Sequence, residues 1–179
     1  MVNLTTEQLE SVLIDEAMVY INYGETDEAE LAPCKGGSSF NVEQEIKDIE
    51  YDGQKGKTKG MRRVISENCF AKLNLMGLTN ENLKLALCGA NMDETSKAIT
   101  NGTGAIATTE YLKNVTIIVK SMGGKYKVIT IYNAMSDNGL SATFTSKEES
   151  VIELNMSAHY DPANLASPIY KIEELTTLI

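Results

Sequence analysis

Alternation of apolar and polar residues runs through most of the chain and predicts a mainly β protein. In the clearest stretch, residues 61–76, every second residue from Cys69 to Leu75 is apolar. A strand with one face on a core and one face in solvent has this period of two. Similar patterns predict further strands at residues 14–23, 38–47, 111–120, 125–133 and 151–160.

Helical spacing is strongest at residues 79–88. Thr79 is a residue type that caps helix N-termini, and Leu83, Ala86 and Leu87 then form an apolar stripe. Gly89 follows where a glycine ends many helices. A second, shorter helix is predicted from a cap at Thr6 through Leu9, Val12 and Leu13.

Glycine-rich breaks between these segments predict turns. Gly36-Gly37 precedes one strand, Gly123-Gly124 joins two strands into a hairpin, and Asn138-Gly139 marks a later turn. Residues 48–60 carry three glycines among charged residues and predict a long, polar, mobile loop. Residues 91–109 have no clear period and are left unassigned.

Six or seven strands joined by hairpins favour an antiparallel β-sandwich or barrel with one flanking α-helix. We divide the chain into an acidic N-terminal arm with the first strand (1–30), a β-sandwich domain (31–162) and a C-terminal arm (163–179). The domain contains the long loop (48–63) and the helix (79–88).

Composition narrows the possible functions. The net charge of −9 argues against a protein that grips the DNA backbone, which requires clustered Lys and Arg. The absence of Trp argues against a surface that stacks on bases or sugars. Three cysteines without a CxxC pair predict neither a disulfide framework nor a zinc site. We find neither a leader pattern nor an apolar run long enough to span a membrane.

No catalytic, cofactor or metal site is predicted, and we expect a protein that is not an enzyme. The Gly56-Lys57-Thr58 stretch lacks the earlier glycine of a phosphate loop, because Tyr51 occupies that position. Gly102-Thr103-Gly104 lacks the third glycine of a dinucleotide fingerprint. The single histidine, His159, is expected at a surface or interface, since one histidine cannot build a multi-histidine centre.

Charge is unevenly distributed along the chain. Residues 1–30 contain eight acidic residues and no Lys or Arg, whereas residues 54–63 contain five basic residues and no acid. A solvated loop is the simplest interpretation of the basic stretch. However, a positive loop and a negative arm on one chain also suit head-to-tail contact between copies, which produces rings or open filaments.

Six stretches of the chain form a pattern that can be compared with known families. They are Gly36-Gly37-Ser-Ser-Phe40, Ile49-Glu50-Tyr51-Asp52-Gly53, Gly56-Lys57-Thr58-Lys59-Gly60 with the following arginines, the helix Thr79-Asn-Glu-Asn-Leu-Lys-Leu-Ala-Leu87, Ala158-His-Tyr-Asp-Pro162 and Pro168-Ile-Tyr170. Together they resemble the major tail tube protein of long-tailed phages and prophages of Gram-positive bacteria. The resemblance covers residues 30–90 well and 150–172 fairly. Residues 1–30 are the least similar part.

This resemblance implies a fold like that of the type VI secretion tube protein and hexameric rings stacked into a hollow tube for DNA. It implies partners inside the tube (a tape measure protein) and at its ends (terminator and baseplate proteins), in a virion tail assembled in the host cytoplasm. It also implies contact between rings through the long loop. The candidates for that contact are Asp52, Lys55, Lys57, Lys59, Arg62 and Arg63.

An acidic channel wall would repel DNA phosphates and keep the polyanion mobile. We therefore expect some of Glu16, Glu43, Glu45 and Glu153 to face the channel, since their strand phases oppose apolar neighbours. Three alternatives stay open. They are another ring-forming tail or secretion-tube part, such as a terminator or baseplate hub; a ligand-binding β-sandwich; and, more remotely, a small hydrolase with clustered carboxylates.

Overall fold

Strands of very different length make up most of the chain in a computed structural model, which describes residues 5, 10–13, 17–31, 33–77, 79–144 and 150–178. The elements are β1 (Met18–Ile21), β2 (Ala29–Glu30), β3 (Ser39–Asp48), β4 (Arg62–Leu75), α1 (Asn80–Ala86), β5 (Asn91–Met92), β6 (Ile99–Thr100), a 3₁₀ turn (Thr108–Glu110), β7 (Leu112–Lys120), β8 (Tyr126–Ser136), β9 (Ser141–Thr143), β10 (Val151–Ser157) and β11 (Tyr170–Leu175). The predicted mainly β, antiparallel class is confirmed.

Among the described residues all strand pairings are antiparallel, and nine strands form one sheet. Seven of them follow the order β2-β1-β7-β8-β10-β4-β3, while β11 pairs with β8 and β9 pairs with β10. Strand β8 joins the two halves of this sheet. It pairs with β7 from Tyr126 to Ala134, with β11 from Tyr126 to Ile131, and with β10 only at Met135 and Ser136. The remaining strands add at the side of β10 (β9) or form a separate two-stranded hairpin (β5 with β6).

A single apolar core lies between the two halves of the sheet. One half contributes residues such as Val115 and Ile131, and the other contributes Leu73 and Leu154, all fully or almost fully buried. The alternation predicted for residues 69–75 is therefore confirmed: the odd-numbered residues of β4 point into the core. This arrangement is sandwich-like, because two groups of strands cover each other's apolar faces.

Helix α1 follows the sequence prediction closely. The Thr79 hydroxyl accepts a hydrogen bond from the Asn82 amide N–H at 3.2 Å, and Ala86 is buried against the strands. Gly89 has a φ of 68°, the left-handed conformation in which glycine is favoured after a helix. No described helix is long and apolar enough to cross a membrane.

The N-terminal region differs in part from its prediction. The predicted strand at residues 14–23 is found as β1, residues 18–21, while residues 14–16 lie outside the described part. The predicted helix from Thr6 does not reach Leu13, which forms a β-bridge with Ser121. Thr6 and Leu9 also lie outside the described residues. The chain before β1 therefore pairs with the residues that directly follow β7.

The predicted C-terminal arm contains a strand that the sequence patterns missed. Residues 170–175 pair with β8 over six positions as β11. Conversely, the strand predicted at residues 151–160 ends at Ser157. The unassigned residues 91–109 hold the small β5–β6 hairpin, which has only two residue pairs.

Candidate assembly interface

The hairpin of β3 and β4 extends beyond the strands that surround it. Strand β10 pairs with β4 only from Phe70 to Leu75, whereas the β3–β4 ladder continues to the Asp48–Arg62 pair. Within the described residues, no strand pairs with the other edge of β4 between Arg62 and Asn68. The outer half of the hairpin, residues 46–65, is therefore held mainly by its own ladder.

Apolar side chains are concentrated on this outer half. Five of them are each 44–51% exposed: Ile46, Ile49, Tyr51, Val64 and Ile65. Single exposed apolar residues are ordinary on protein surfaces, but a contiguous group marks an interaction site. The ladder shifts register between Glu45 and Ile46, so that Ile46 lies opposite Val64 and Ile65 is the extra residue. Such a bulge bends and twists a strand.

Hydrogen bonds within the loop give its tip a defined shape. The Ile49 amide N–H donates to the Met61 carbonyl at 2.8 Å, and the Gln54 side-chain amide donates to the Gly56 carbonyl at 2.5 Å. The Tyr51 hydroxyl lies 3.4 Å from the Thr58 hydroxyl. The sequence predicted this loop from its glycines and charged residues, and gave no indication of these internal contacts.

The six predicted contact residues of the loop are all exposed. Arg62 is already engaged within the chain, because its Nε donates to Asp48 Oδ1 at 2.7 Å. In contrast, Lys55, Lys57 and Lys59 form no ion pair with any described residue. The hairpin therefore presents apolar side chains on its stem and, at its tip, three lysines that no described residue pairs.

Three of the four predicted channel-facing carboxylates share one face of the sheet. Since the odd-numbered residues of β4 near Cys69 point into the core, the even-numbered residues point outward. Glu43 pairs with Asn68, Glu45 with Ser66, and Glu153 with Asn74, so all three glutamates lie on the outward face. All three are exposed. Glu16 lies outside the described residues.

The acidic N-terminal segment, residues 1–30, is partly neutralised by one lysine from β7. Lys113 Nζ lies 2.8 Å from Glu25 Oε2 and 3.7 Å from Asp27 Oδ1. The hydrogen bond to Glu25 raises the pKa of Lys113 above its usual range. The segregation of charge seen in the sequence is therefore reduced around this turn, which is anchored to β7.

The residues that were examined as possible catalytic or ligand-binding groups lie in environments that do not favour such chemistry. Gly56-Lys57-Thr58 lies in the hairpin loop and leads into a strand, not a helix. Burial, with a smaller contribution from Glu67, raises the pKa of the Cys69 thiol to about 12, so the thiol is unreactive at neutral pH. Within the described residues, no group of three or more His, Cys, Asp or Glu could hold a metal ion.

The sequence patterns missed the apolar part of this interface. Ile49 and Tyr51 stand out as apolar residues inside a polar loop, and Val64-Ile65 is an adjacent apolar pair in an otherwise alternating strand. Both features break the local pattern and were available as signals. Comparison of the chain with protein-family models found no match, and comparison with curated protein sequences found none either.

Proposed function

We propose that this chain is a structural subunit that assembles with copies of itself into stacked rings around a hollow channel, as a phage major tail tube protein does. The protruding β3–β4 hairpin is the observation that carries the proposal. An exposed apolar stem with a cationic tip is unfavourable in a monomeric protein, because exposed apolar side chains promote non-specific association. It is useful in a subunit whose hairpin is covered by its neighbour.

The sandwich-like packing and the remaining surfaces agree with this proposal. The outward face with Glu43, Glu45 and Glu153 suits a channel wall that DNA passes without binding, because carboxylates repel phosphates. In such a tube the ring would be hexameric, with a tape measure protein inside and terminator or baseplate proteins at the ends. The protein would act in the virion tail and would not be an enzyme.

Negative-stain microscopy of the purified protein, over a range of concentrations, tests the proposal directly. Hollow tubes of uniform width are expected. Single rings that never stack would instead support a terminator or hub. A protein that sediments as a monomer at every concentration would refute self-assembly.

Charge reversal at the loop tip tests the role of the hairpin. Replacing Lys55, Lys57 and Lys59 by Glu should leave folding intact, because these side chains are exposed and form no ion pair with a described residue, but should prevent stacking. A control replaces Lys97, Lys120 and Lys171 by Glu, which changes the net charge equally at exposed sites outside the hairpin. Lys97 and Lys171 thereby lose exposed ion pairs with Glu81 and Glu173, a loss that costs little stability. If both variants assemble equally, the loop is a solvated turn and does not contact a neighbouring subunit.

A further inference from the structure

An open cavity of about 630 Å³ lies beside the end of β10, outside the hairpin. Its lining includes Tyr111, Asn133, His159, Tyr160 and Asp161. It is found where β8 changes partner, since the ladder with β11 ends at Ile131 and that with β10 begins at Met135. The side chains therefore come from three separate segments of the chain and converge on one space.

The back wall of this cavity is held in a fixed arrangement. The Asn133 side-chain amide donates to the His159 carbonyl at 3.1 Å, and His159 Nδ1 lies 3.1 Å from the Asn133 carbonyl. A carbonyl only accepts, so Nδ1 carries the proton. The Tyr111 ring meets the His159 ring edge to face, with centroids 5.0 Å apart.

The backbone of Asn133 has a φ of 47°, in the left-handed region that non-glycine residues rarely adopt. Its position is within an eleven-residue strand, β8, and not at a tight turn. Asparagine is among the non-glycine residues that adopt this region most readily, and its side-chain hydrogen bond to the His159 carbonyl holds it in place here. The backbone at Asn133 therefore gives this wall of the cavity a defined shape.

The lining selects for a cation. It combines the rings of Tyr111 and Tyr160 with the carboxylate of Asp161, and it contains no Lys or Arg among the described residues. Aromatic faces attract ammonium and guanidinium groups, and more strongly when the cation is partly removed from water. A phosphate or carboxylate would instead meet the Asp161 charge without a compensating partner.

We infer that this cavity is the acceptor for a lysine side chain from the basic loop of a second copy of the chain. The loop holds Lys55, Lys57 and Lys59, which are exposed and form no ion pair with a described residue, so the charges are complementary. The inference rests on the proposed self-assembly and adds the surface that receives the hairpin.

The cavity and the loop of one copy lie apart along β4. Tyr160, which lines the cavity, also lines a neighbouring pocket together with Glu67 of β4. From Glu67, β4 runs five residues to Arg62, about 17 Å of extended strand, before the loop begins. The contact therefore joins different surfaces of two copies, and this type of contact repeats into a chain of subunits.

Two variants separate the partners of this contact. The pocket variant carries Tyr160→Ala and Asp161→Asn, and the loop variant carries Glu at Lys55, Lys57 and Lys59. Both cavity positions are exposed, and Asn at 161 keeps a side-chain oxygen for the hydrogen bond that Asp161 now accepts from Ala163. Each variant alone should require at least a tenfold higher concentration than the parent to assemble. Tyr160→Phe keeps the ring and should assemble like the parent.

The decisive measurement is sedimentation velocity on an equimolar mixture of the two variants. The pocket variant still has a loop and the loop variant still has a pocket, so the mixture should form one-to-one dimers and nothing longer. A mixture that stays monomeric, or a pocket variant that assembles like the parent, overturns the inference. If the parent assembles in that second case, the proposed function stands without this site. A parent that never associates overturns both.

Discussion

The apolar stem of the hairpin allows a quantitative test of self-assembly. Ile46 and Ile65 are 45% and 51% exposed, so roughly half of each side chain remains to be buried by a partner. Full burial of an isoleucine stabilises by about 1.5–3 kcal/mol, which leaves about 1 kcal/mol for each residue in the contact. The double variant Ile46→Thr and Ile65→Thr should thus lose about 2 kcal/mol per contact.

That loss corresponds to an association constant about 30-fold lower, since 1.4 kcal/mol is a factor of ten. The concentration at which tubes first form, measured by light scattering and pelleting, should rise by about the same factor. The free energy of unfolding of the monomer should change by less than about 1 kcal/mol, because both positions are exposed and threonine keeps the β-branch.

A matched control is available in the same chain. Ile106 and Ile172 are 47% and 50% exposed but lie outside the hairpin. Their double replacement by threonine removes the same chemical groups and should leave the assembly concentration nearly unchanged. If both double variants shift it equally, general surface hydrophobicity drives association, and the assignment of the hairpin as the interface is wrong.

Three further predictions concern folding, each followed by urea denaturation. Thr79→Ala removes the acceptor for the Asn82 amide N–H and should destabilise by about 1 kcal/mol, while Thr79→Ser should not. Gly102→Ala should destabilise by about 2 kcal/mol or more, because an added Cβ would lie 1.8 Å from the Gly89 carbonyl oxygen. The thiol pKa of Cys69 is about 12 when folded and about 8.5 when unfolded, so the unfolded chain loses its proton first. Stability should therefore fall between pH 9 and 10 by up to about 1.4 kcal/mol more in the parent than in Cys69→Ala, and parallel curves for the two proteins would refute that pKa.

The sequence patterns predicted those strands and that helix whose local sequence alone carries enough signal to identify them. The strands β4, β7 and β8 have long alternations, and α1 has a cap, an apolar stripe and a terminating glycine within its own sequence. The small strands β2, β5 and β6 have two residues each, too few to show a period.

Strand β11 was missed for a different reason. Its two adjacent acids, Glu173 and Glu174, interrupt the alternation. In the folded chain the Glu174 carboxylate forms ion pairs with Lys125 Nζ at 2.7 Å and with Lys127 Nζ at 3.4 Å. The hydrogen bond from Lys125 lowers the pKa of Glu174. These partners come from the neighbouring strand, so they exist only once the sheet has formed.

The sequence predicted the charged part of the candidate interface but not its apolar part. Charge can be counted directly, which is why the lysines of the loop were recognised. The exposure of a side chain cannot be determined from the sequence in this way, because the alternation at Ile46 looks the same as that at Val42, which packs on the core. The difference arises from β10, whose pairing with β4 stops at Phe70, so that no described strand pairs with β4 in the outer hairpin.

The geometry of the hairpin also restricts the symmetry of any assembly. If two hairpins paired with each other, the same surface would serve on both copies and association would stop at a dimer. The three lysines at the tip oppose that arrangement, since two like-charged loops would repel. A hairpin that enters a different, acidic surface leaves each copy with one free hairpin and one free acceptor. Assembly then continues until it closes into a ring or extends as a filament, which is the behaviour that a tube requires.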